Sequence, residues 1–196
     1  MRLICATRND HKLRELSQIL AGADLLPLPA EVELPPEDGE TFQENALIKA
    51  RATYEACGVA ALADDSGIAA RALGGRPGVR SARYASEDAT DQENLDRLIS
   101  ELSGVDDRHV AYVCALVHIG ASGAETAVEA RCEGILILEP RGTGGFGYDP
   151  AFVPDDTGPG DERTMAELSD SEKHAISHRG RAARELAARL HLGGRA

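Results

Sequence analysis

An apolar run over residues 59–63 gives way to Asp64-Asp65-Ser66-Gly67, which puts two adjacent carboxylates and a hydroxyl at the expected exit of a buried strand. Ligands of open α/β sheets bind beyond the carboxyl ends of their strands. Side-by-side carboxylates repel, and a hard divalent cation such as Mg²⁺ between them relieves the repulsion while bridging onward to substrate phosphates. The same four residue types also open turns and cap helices, so the tetrapeptide alone fits a plain turn as well as a metal-assisted site.

A second segment with chemical character runs over residues 142–150, Gly-Thr-Gly-Gly-Phe-Gly-Tyr-Asp-Pro. Four glycines in nine residues carry an entropic cost that a plain connector has no need of, and they let backbone approach a ligand closely. Phe146 and Tyr148 are two of only seven Phe and Tyr residues in a chain without Trp. Scarce aromatics in a Gly-rich loop suit a stacking platform for a flat ring such as a nucleobase; the alternative is that they seal the edge of the core. A third segment, residues 173–180, collects Lys173, His174, His178 and Arg179. His174 and His178 stand at i, i+4, but without an intervening H-E-x-x-H glutamate or a third ligand they do not spell a zinc site. Lys173, His178 and Arg179 instead suit hydrogen bonding to an anionic or carbonyl-bearing ligand. Arg76, Arg80 and Arg83 crowd a Gly-rich stretch, as a phosphate clamp, a subunit contact or partners of nearby carboxylates.

These segments need elements to hold them. Residues 3–6 read as a first strand, and Thr7-Arg8-Asn9-Asp10-His11-Lys12 leads into a helix with Leu13, Leu16 and Leu20 on one face, capped by Asn9 or Asp10. A strand feeding a helix this way points N–H groups outward as an anion site, to which Lys12 adds a cation; a capped helix with a solvated lysine is the plainer reading. Residues 25–28 read as a short strand, followed by an acidic, proline-stiffened loop containing Glu37. Thr41-Phe42-Gln43-Glu44 is a capping box opening a helix to about Cys57, and Thr90-Asp91-Gln92-Glu93 opens an amphipathic helix carrying Leu95, Leu98, Ile99 and Leu102. Lys49 lies on the first of these helices, either at a pocket or on its outer surface. Residues 68–73 read as one or two helical turns, residues 110–119 and 126–132 as a long hairpin, and residues 134–138 as a further strand. Thr164-Met165-Ala166-Glu167 is a third capping box before a final helix with Ala183, Leu186 and Leu190. Helix–strand alternation followed by hairpins implies an α/β fold with a mixed central sheet flanked by helices.

The chain has 196 residues, enough for a single domain over 1–196 with a sizeable core. Lys and Arg number 21 against 33 Asp and Glu, a formal net charge of −12. That surface repels nucleic acid and anionic lipid, and it admits a small phosphorylated ligand only where local cations or a metal overturn the field. Cys5, Cys57, Cys114 and Cys132 show no metal-binding spacing, and neither a signal peptide nor a membrane span is read, so a cytoplasmic protein with reduced thiols is expected.

In combination the segments resemble the inosine/xanthosine triphosphate pyrophosphatase family. The matching motifs are Thr7-x-Asn9-x-x-Lys12, Thr41-Phe42-x-Glu44-Asn45-Ala46 with Lys49-Ala50, Ala63-Asp64-Asp65-Ser66-Gly67, Gly75-x-Pro77-Gly78 with Ser81-Ala82-Arg83-Tyr84, Gly144-Gly145-Phe146-Gly147-Tyr148-Asp149-Pro150, and Ser177-His178-Arg179-Gly180. They stand in family order over nearly the whole chain, with Arg8 where the family usually has glycine. The resemblance implies an elongated sheet with two lobes and a cleft between them, a homodimer, and Mg²⁺-dependent hydrolysis of non-standard purine nucleoside triphosphates (ITP, dITP, XTP) to monophosphate and pyrophosphate. It implies that Asp65 is the acidic residue at the centre of catalysis, by binding metal or activating water, and that Glu37 lies near the place of a second metal ligand. Thr7, Arg8, Asn9, Asp10, His11, Lys12, Lys49 and Ser66 would hold phosphate and sugar. Phe146, Gly147, Tyr148 and Asp149 would hold base and ribose, and Lys173, His178 and Arg179 would read the base. A pyrophosphatase with another base preference, or a nucleotide-binding regulator without turnover, would fit the same cleft.

Overall fold

The computed structural model describes residues 1–192. Six strands form one sheet in the order β2-β1-β3-β4-β5-β6, with β1 (Arg2–Cys5), β2 (Asp24–Leu26), β3 (Ala61–Ala70), β4 (His109–Ile119), β5 (Glu125–Leu136) and β6 (Phe152–Pro154). β1 runs parallel to both β2 and β3, with Ile4 opposite Leu26 and Cys5 opposite Leu62, whereas β5 and β6 are antiparallel, with Ile135 opposite Val153. The expected mixed α/β sheet with helices is therefore present, the helices being α1 (Asp10–Ile19), α2 (Phe42–Cys57), α3 (Asp91–Leu102), α4 (Asp170–Ile176) and α5 (His178–Arg189).

The chain folds into two compact units, and both are discontinuous in sequence. The first comprises Met1–Asp65, Cys114–Ala130 and the chain from Arg179 onward; the second comprises Ser66–Val113 and Arg131–His178. Residues 193–196 of the expected single domain lie outside the described residues. In the first unit, Leu16 and Leu20 of α1 and Ala182, Ala183 and Leu186 of α5 pack with Cys5, Leu62, Cys114 and Leu116 of the strands. In the second, Leu95, Leu98 and Leu102 of α3 pack with Ile68, Tyr112, Leu136, Phe152 and Met165. α3 thus buries the stripe its sequence periodicity marks.

The helix starts follow local chemistry. Asn9 caps α1, its side-chain oxygen accepting from the amides of His11 (2.9 Å) and Lys12 (3.1 Å). Thr41 and Glu44 form the reciprocal capping box of α2, and Thr90 and Glu93 that of α3. α4 escapes the sequence reading, although Ser169 and Glu172 form a fourth such box at its start. The Thr164–Glu167 box opens only a 3-10 turn.

Several boundaries differ from expectation. β3 does not stop at Asp64: it continues through Asp64-Asp65-Ser66-Gly67 to Ala70, and a single 3-10 turn, Arg71–Leu73, follows. The tetrapeptide is therefore neither a turn nor an exit loop: β3 lies between β1 and β4, and its place inside the sheet keeps these turn-prone residues extended. β2 ends at Leu26, before Pro27, which lacks the amide a ladder needs. Residues 134–136 prolong β5 rather than forming a strand of their own.

Candidate active site

Strand alternation settles what the acidic pair does. Successive side chains of a strand point to opposite faces, so Asp64 and Asp65 do not converge on one cation. Asp64, 1% exposed, receives Lys12 Nζ at 2.6 Å and Arg179 Nε at 2.9 Å, and Arg179 in turn donates to Glu15 at 2.6 Å. Two carboxylates and two cations make this cluster charge-balanced. Burial alone would raise the Asp64 pKa, but Arg179 and Lys12 overturn that effect and hold the carboxyl well below the usual range. The Cys114 thiol donates to Asp64 over 3.2 Å. Burial and Asp64 push the nearby Cys5 thiol up to about 12, so neither thiol is a nucleophile at neutral pH.

Asp65 faces α2. The Lys49 ammonium, 4% exposed, bonds Asp65 at 2.9 Å and Glu37 at 2.6 Å, while the Asn45 amide donates to Asp65 over 3.4 Å. Asn45 in turn accepts from the Gly39 amide at 2.8 Å, tying the acidic loop that carries Glu37 to the start of α2. Burial raises the Asp65 pKa beyond what Lys49 and Lys12 take back, and the Glu37 charge adds to the rise. Lys49 is desolvated too, yet Asp65 and Glu37 hold its pKa above normal, so it stays an ammonium. Two carboxylates share one lysine here, and the cluster of these three groups is left with net negative charge. Glu44 looks outward and serves the capping box.

The remaining first-loop residues fall into place with one correction. Thr7 Oγ1 accepts from the Asn9 amide at 3.1 Å, and Asn9 spends its own oxygen on the helix start, so part of the expected anion site is already satisfied within the chain. Asp10 and His11 are exposed on the first turn of α1. Arg8 does not lie ready for phosphate: its guanidinium donates to the carbonyls of Leu28 (3.0 Å), Pro29 (2.8 Å), Ala30 (3.2 Å) and Val32 (2.7 Å). A proline-rich loop leaves carbonyls without neighbouring amides, and a five-donor planar fork matches them. Arg179, expected at the base, is 2% exposed and pairs here with Asp64 and Glu15.

The second unit gathers the base-end candidates around Asp149. Its carboxylate, 3% exposed, accepts from Lys173 Nζ at 2.7 Å, the Phe146 amide at 2.9 Å and Tyr112 Oη at 3.0 Å. Gly145 sits at φ +70°, and a Cβ there would fall 2.0 Å from Asp149 Oδ2, so this turn requires glycine to close on the carboxylate. Lys173 Nζ lies 5.1 Å from the centroid of the half-buried Phe146 ring. Tyr148 is corrected: it joins the core, and its hydroxyl donates to the Ser81 carbonyl at 2.7 Å. The Gly147 amide is taken by Asp91 at 2.9 Å. Ser66, half-buried, is the first residue of this unit. His178 stacks on Tyr112, with ring centroids 4.5 Å apart and planes 8° from parallel. Tyr112 and Asn45 are contacts the site-residue reading did not include; Asn45 stood within a quoted motif, whereas nothing local in sequence marks Tyr112.

Among the described residues no three His, Cys, Asp or Glu side chains group as a metal cage. A Mg²⁺ ion asks for less, since it keeps several waters and takes one or two carboxylates plus substrate phosphates. The hard oxygen donors of Asp65 and Glu37, already converging on one cationic nitrogen and left with excess negative charge, fit such an ion.

Comparison with known proteins shows what the chain is similar to. A dITP/XTP pyrophosphatase of Streptomyces avermitilis is 47% identical over 193 residues, covering 94% of each chain. One from Geobacter sulfurreducens is 46% identical, covering 98% of this chain and 96% of that one. A solved HAM1 protein from Coxiella burnetii superposes with a TM-score of 0.86 at 38% identity, covering 97% of this chain and 98% of the other. The model of the Ham1 family matches residues 3–189, and the chain belongs to that family.

Proposed function

We propose that the protein hydrolyses non-standard purine nucleoside triphosphates, dITP, ITP and XTP, to the monophosphate and pyrophosphate. Its similarity to dITP/XTP pyrophosphatases along nearly the full chain supports this activity. The observation that carries the chemistry is the Glu37–Lys49–Asp65 cluster, where one buried ammonium is shared by a buried aspartate and a half-buried glutamate. Phosphoanhydride hydrolysis needs charge stabilisation and an oriented water more than covalent chemistry. Mg²⁺ held by Asp65 and Glu37 would neutralise phosphate charge. Asp65, whose pKa burial raises above the ordinary aspartate value, accepts a proton from the attacking water more readily than an ordinary aspartate. Lys49, kept charged, turns from the carboxylates toward incoming phosphate oxygens, and Lys12 stands on the neighbouring α1 turn to add a second cation.

At the base end, Lys173 and His178 are donors for the C6 carbonyl of hypoxanthine or xanthine, and Phe146 offers its ring for stacking. Adenine carries an amino group at C6 and would leave such donors unpaired, a mismatch worth roughly 10⁴-fold in discrimination. We assign a homodimer and a cytoplasmic location on the family resemblance. The four free thiols, three of them buried, suit a reducing compartment. No helix among the described residues is long and apolar enough to cross a membrane.

The test is pyrophosphate release from ITP, dITP, XTP, dUTP, GTP and ATP, with Mg²⁺ and after chelation. Rapid release from dITP, ITP and XTP that stops on chelation is expected. Preference for dUTP, tight ITP binding without release, or full activity in chelator each contradicts the proposal.

A further inference from the structure

Tyr112 touches two of the polar side chains at the base end, Asp149 and His178. Its hydroxyl donates to Asp149 Oδ1, and its ring lies flat against the His178 imidazole. The residue is 6% exposed and wedged on its other side by Phe152, whose ring centroid is 4.6 Å away at a tilt of 40°. It leaves β4 from within the second unit, so it is anchored on a rigid strand rather than a loop.

The consequence lies in hydrogen-bond capacity. An ionised carboxylate is an acceptor only, and Asp149 spends Oδ2 on Lys173 Nζ and the Phe146 amide and Oδ1 on Tyr112. A buried carboxylate oxygen without that hydroxyl would be a ready acceptor for an exocyclic amino group, which guanine and adenine carry and hypoxanthine and xanthine lack. Specificity is a difference of affinities, and denying the wrong ligand an acceptor serves it as well as offering the right ligand a donor.

We propose that Tyr112 is a positioning residue for base selection: its hydroxyl engages Asp149 Oδ1, weakening and partly covering that oxygen as an acceptor, and its ring fixes the His178 imidazole, so that this end of the site favours donors over a carboxylate acceptor. The inference rests on the proposed pyrophosphatase reading and adds to it a cause for exclusion of the standard purine GTP, which shares the C6 carbonyl with the preferred substrates.

The experiment compares wild type, Tyr112→Phe and Tyr112→Leu by kcat and KM for ITP, XTP and GTP, together with thermal melting. Tyr112→Phe keeps the stack and loses the hydroxyl. It is expected to narrow the ITP-over-GTP ratio of kcat/KM about tenfold, the size of effect a hydrogen bond to a charged group commands. The change should sit mainly in KM. Tyr112→Leu, which loses the stack as well, is expected to narrow the ratio further and to raise KM for ITP. A Tyr112→Phe enzyme that melts lower but keeps the wild-type ITP-over-GTP ratio overturns the proposal, as does one in which kcat falls equally for all three nucleotides. If wild type releases no pyrophosphate from ITP or XTP, the functional reading itself fails, a result separable from either of these.

Discussion

Asp64 and Asp65 are neighbours in one strand, and their surroundings are opposites. Asp64 is sealed on one face with two cations and a second acid, all charges balanced, its carboxyl held far into the ionised range. Asp65 faces α2 with Glu37 and a single shared lysine, and its carboxyl is pushed the other way. A balanced buried network is committed to the fold, because removing any member strands a charge. An unbalanced one is poised for a ligand that supplies what is missing. On the proposed function, the pair that reads as one motif in sequence is a structural charge and a chemical charge, separated by the pleat of the strand.

The largest effect that could break this comparison is on turnover. Asp65→Asn should lower kcat for ITP by about 10²–10⁴-fold, the range for losing a positioned acid or base. Lys49 keeps Glu37 in that variant, and a carboxyl with a raised pKa contributes stability that is lost as pH rises through its folded value. Melting at neutral pH should therefore be at or above wild type. Near-normal turnover would remove Asp65 from the chemistry.

Asp64→Asn should do the reverse. Leaving Arg179 and Lys12 without their carboxylate is expected to cost about 3–5 kcal/mol in denaturant unfolding. A variant as stable as wild type would deny the network its structural role.

The pH dependence carries the same asymmetry at smaller amplitude. A depressed carboxyl contributes stability that is whole above its unfolded value, about 3.9 for aspartate, and is lost as pH falls through the folded value. Stability should accordingly begin to fall below about pH 4, where the unfolded chain takes up the proton that folded Asp64 still refuses, whereas the acid limb of kcat/KM, governed by Asp65, should lie above that value. Coincident midpoints would erase the distinction.

The smallest effect concerns Arg8. Arg8→Gly should cost about 1 kcal/mol by releasing the carbonyls of residues 28–32, with KM for ITP unchanged. A large rise in KM would return Arg8 to the phosphate.

The order of elements, the capping boxes of α2 and α3 and the mixed sheet were legible in sequence because each rests on local periodicity or a four-residue signal. Lys49, Asp65 and Asp149 stand in quoted motifs and Lys173 in the basic segment 173–180, and the structure sets them in two charged clusters, Lys49 with Asp65 and Lys173 with Asp149. What was not legible depends on alternation and long-range pairing. Asp-Asp-Ser-Gly carries turn residues, yet the sheet keeps it extended, and only that fact separates the two aspartates. Arg8, Tyr148 and Arg179 each have side chains suited to a ligand. Carbonyls twenty residues away, the Ser81 carbonyl and the Asp64–Glu15 pair claim them instead. Tyr112 reads simply as one more residue of an apolar strand until Asp149 and His178 are placed beside it.

The most direct test of the split is a carbon-13 NMR titration of the aspartate carboxyls, with Asp64 and Asp65 assigned through their Asn variants. The account predicts that Asp65 titrates above the ordinary aspartate value of about 3.9 and that Asp64 stays ionised well below it. Midpoints that coincide, or that fall in the opposite order, would contradict it.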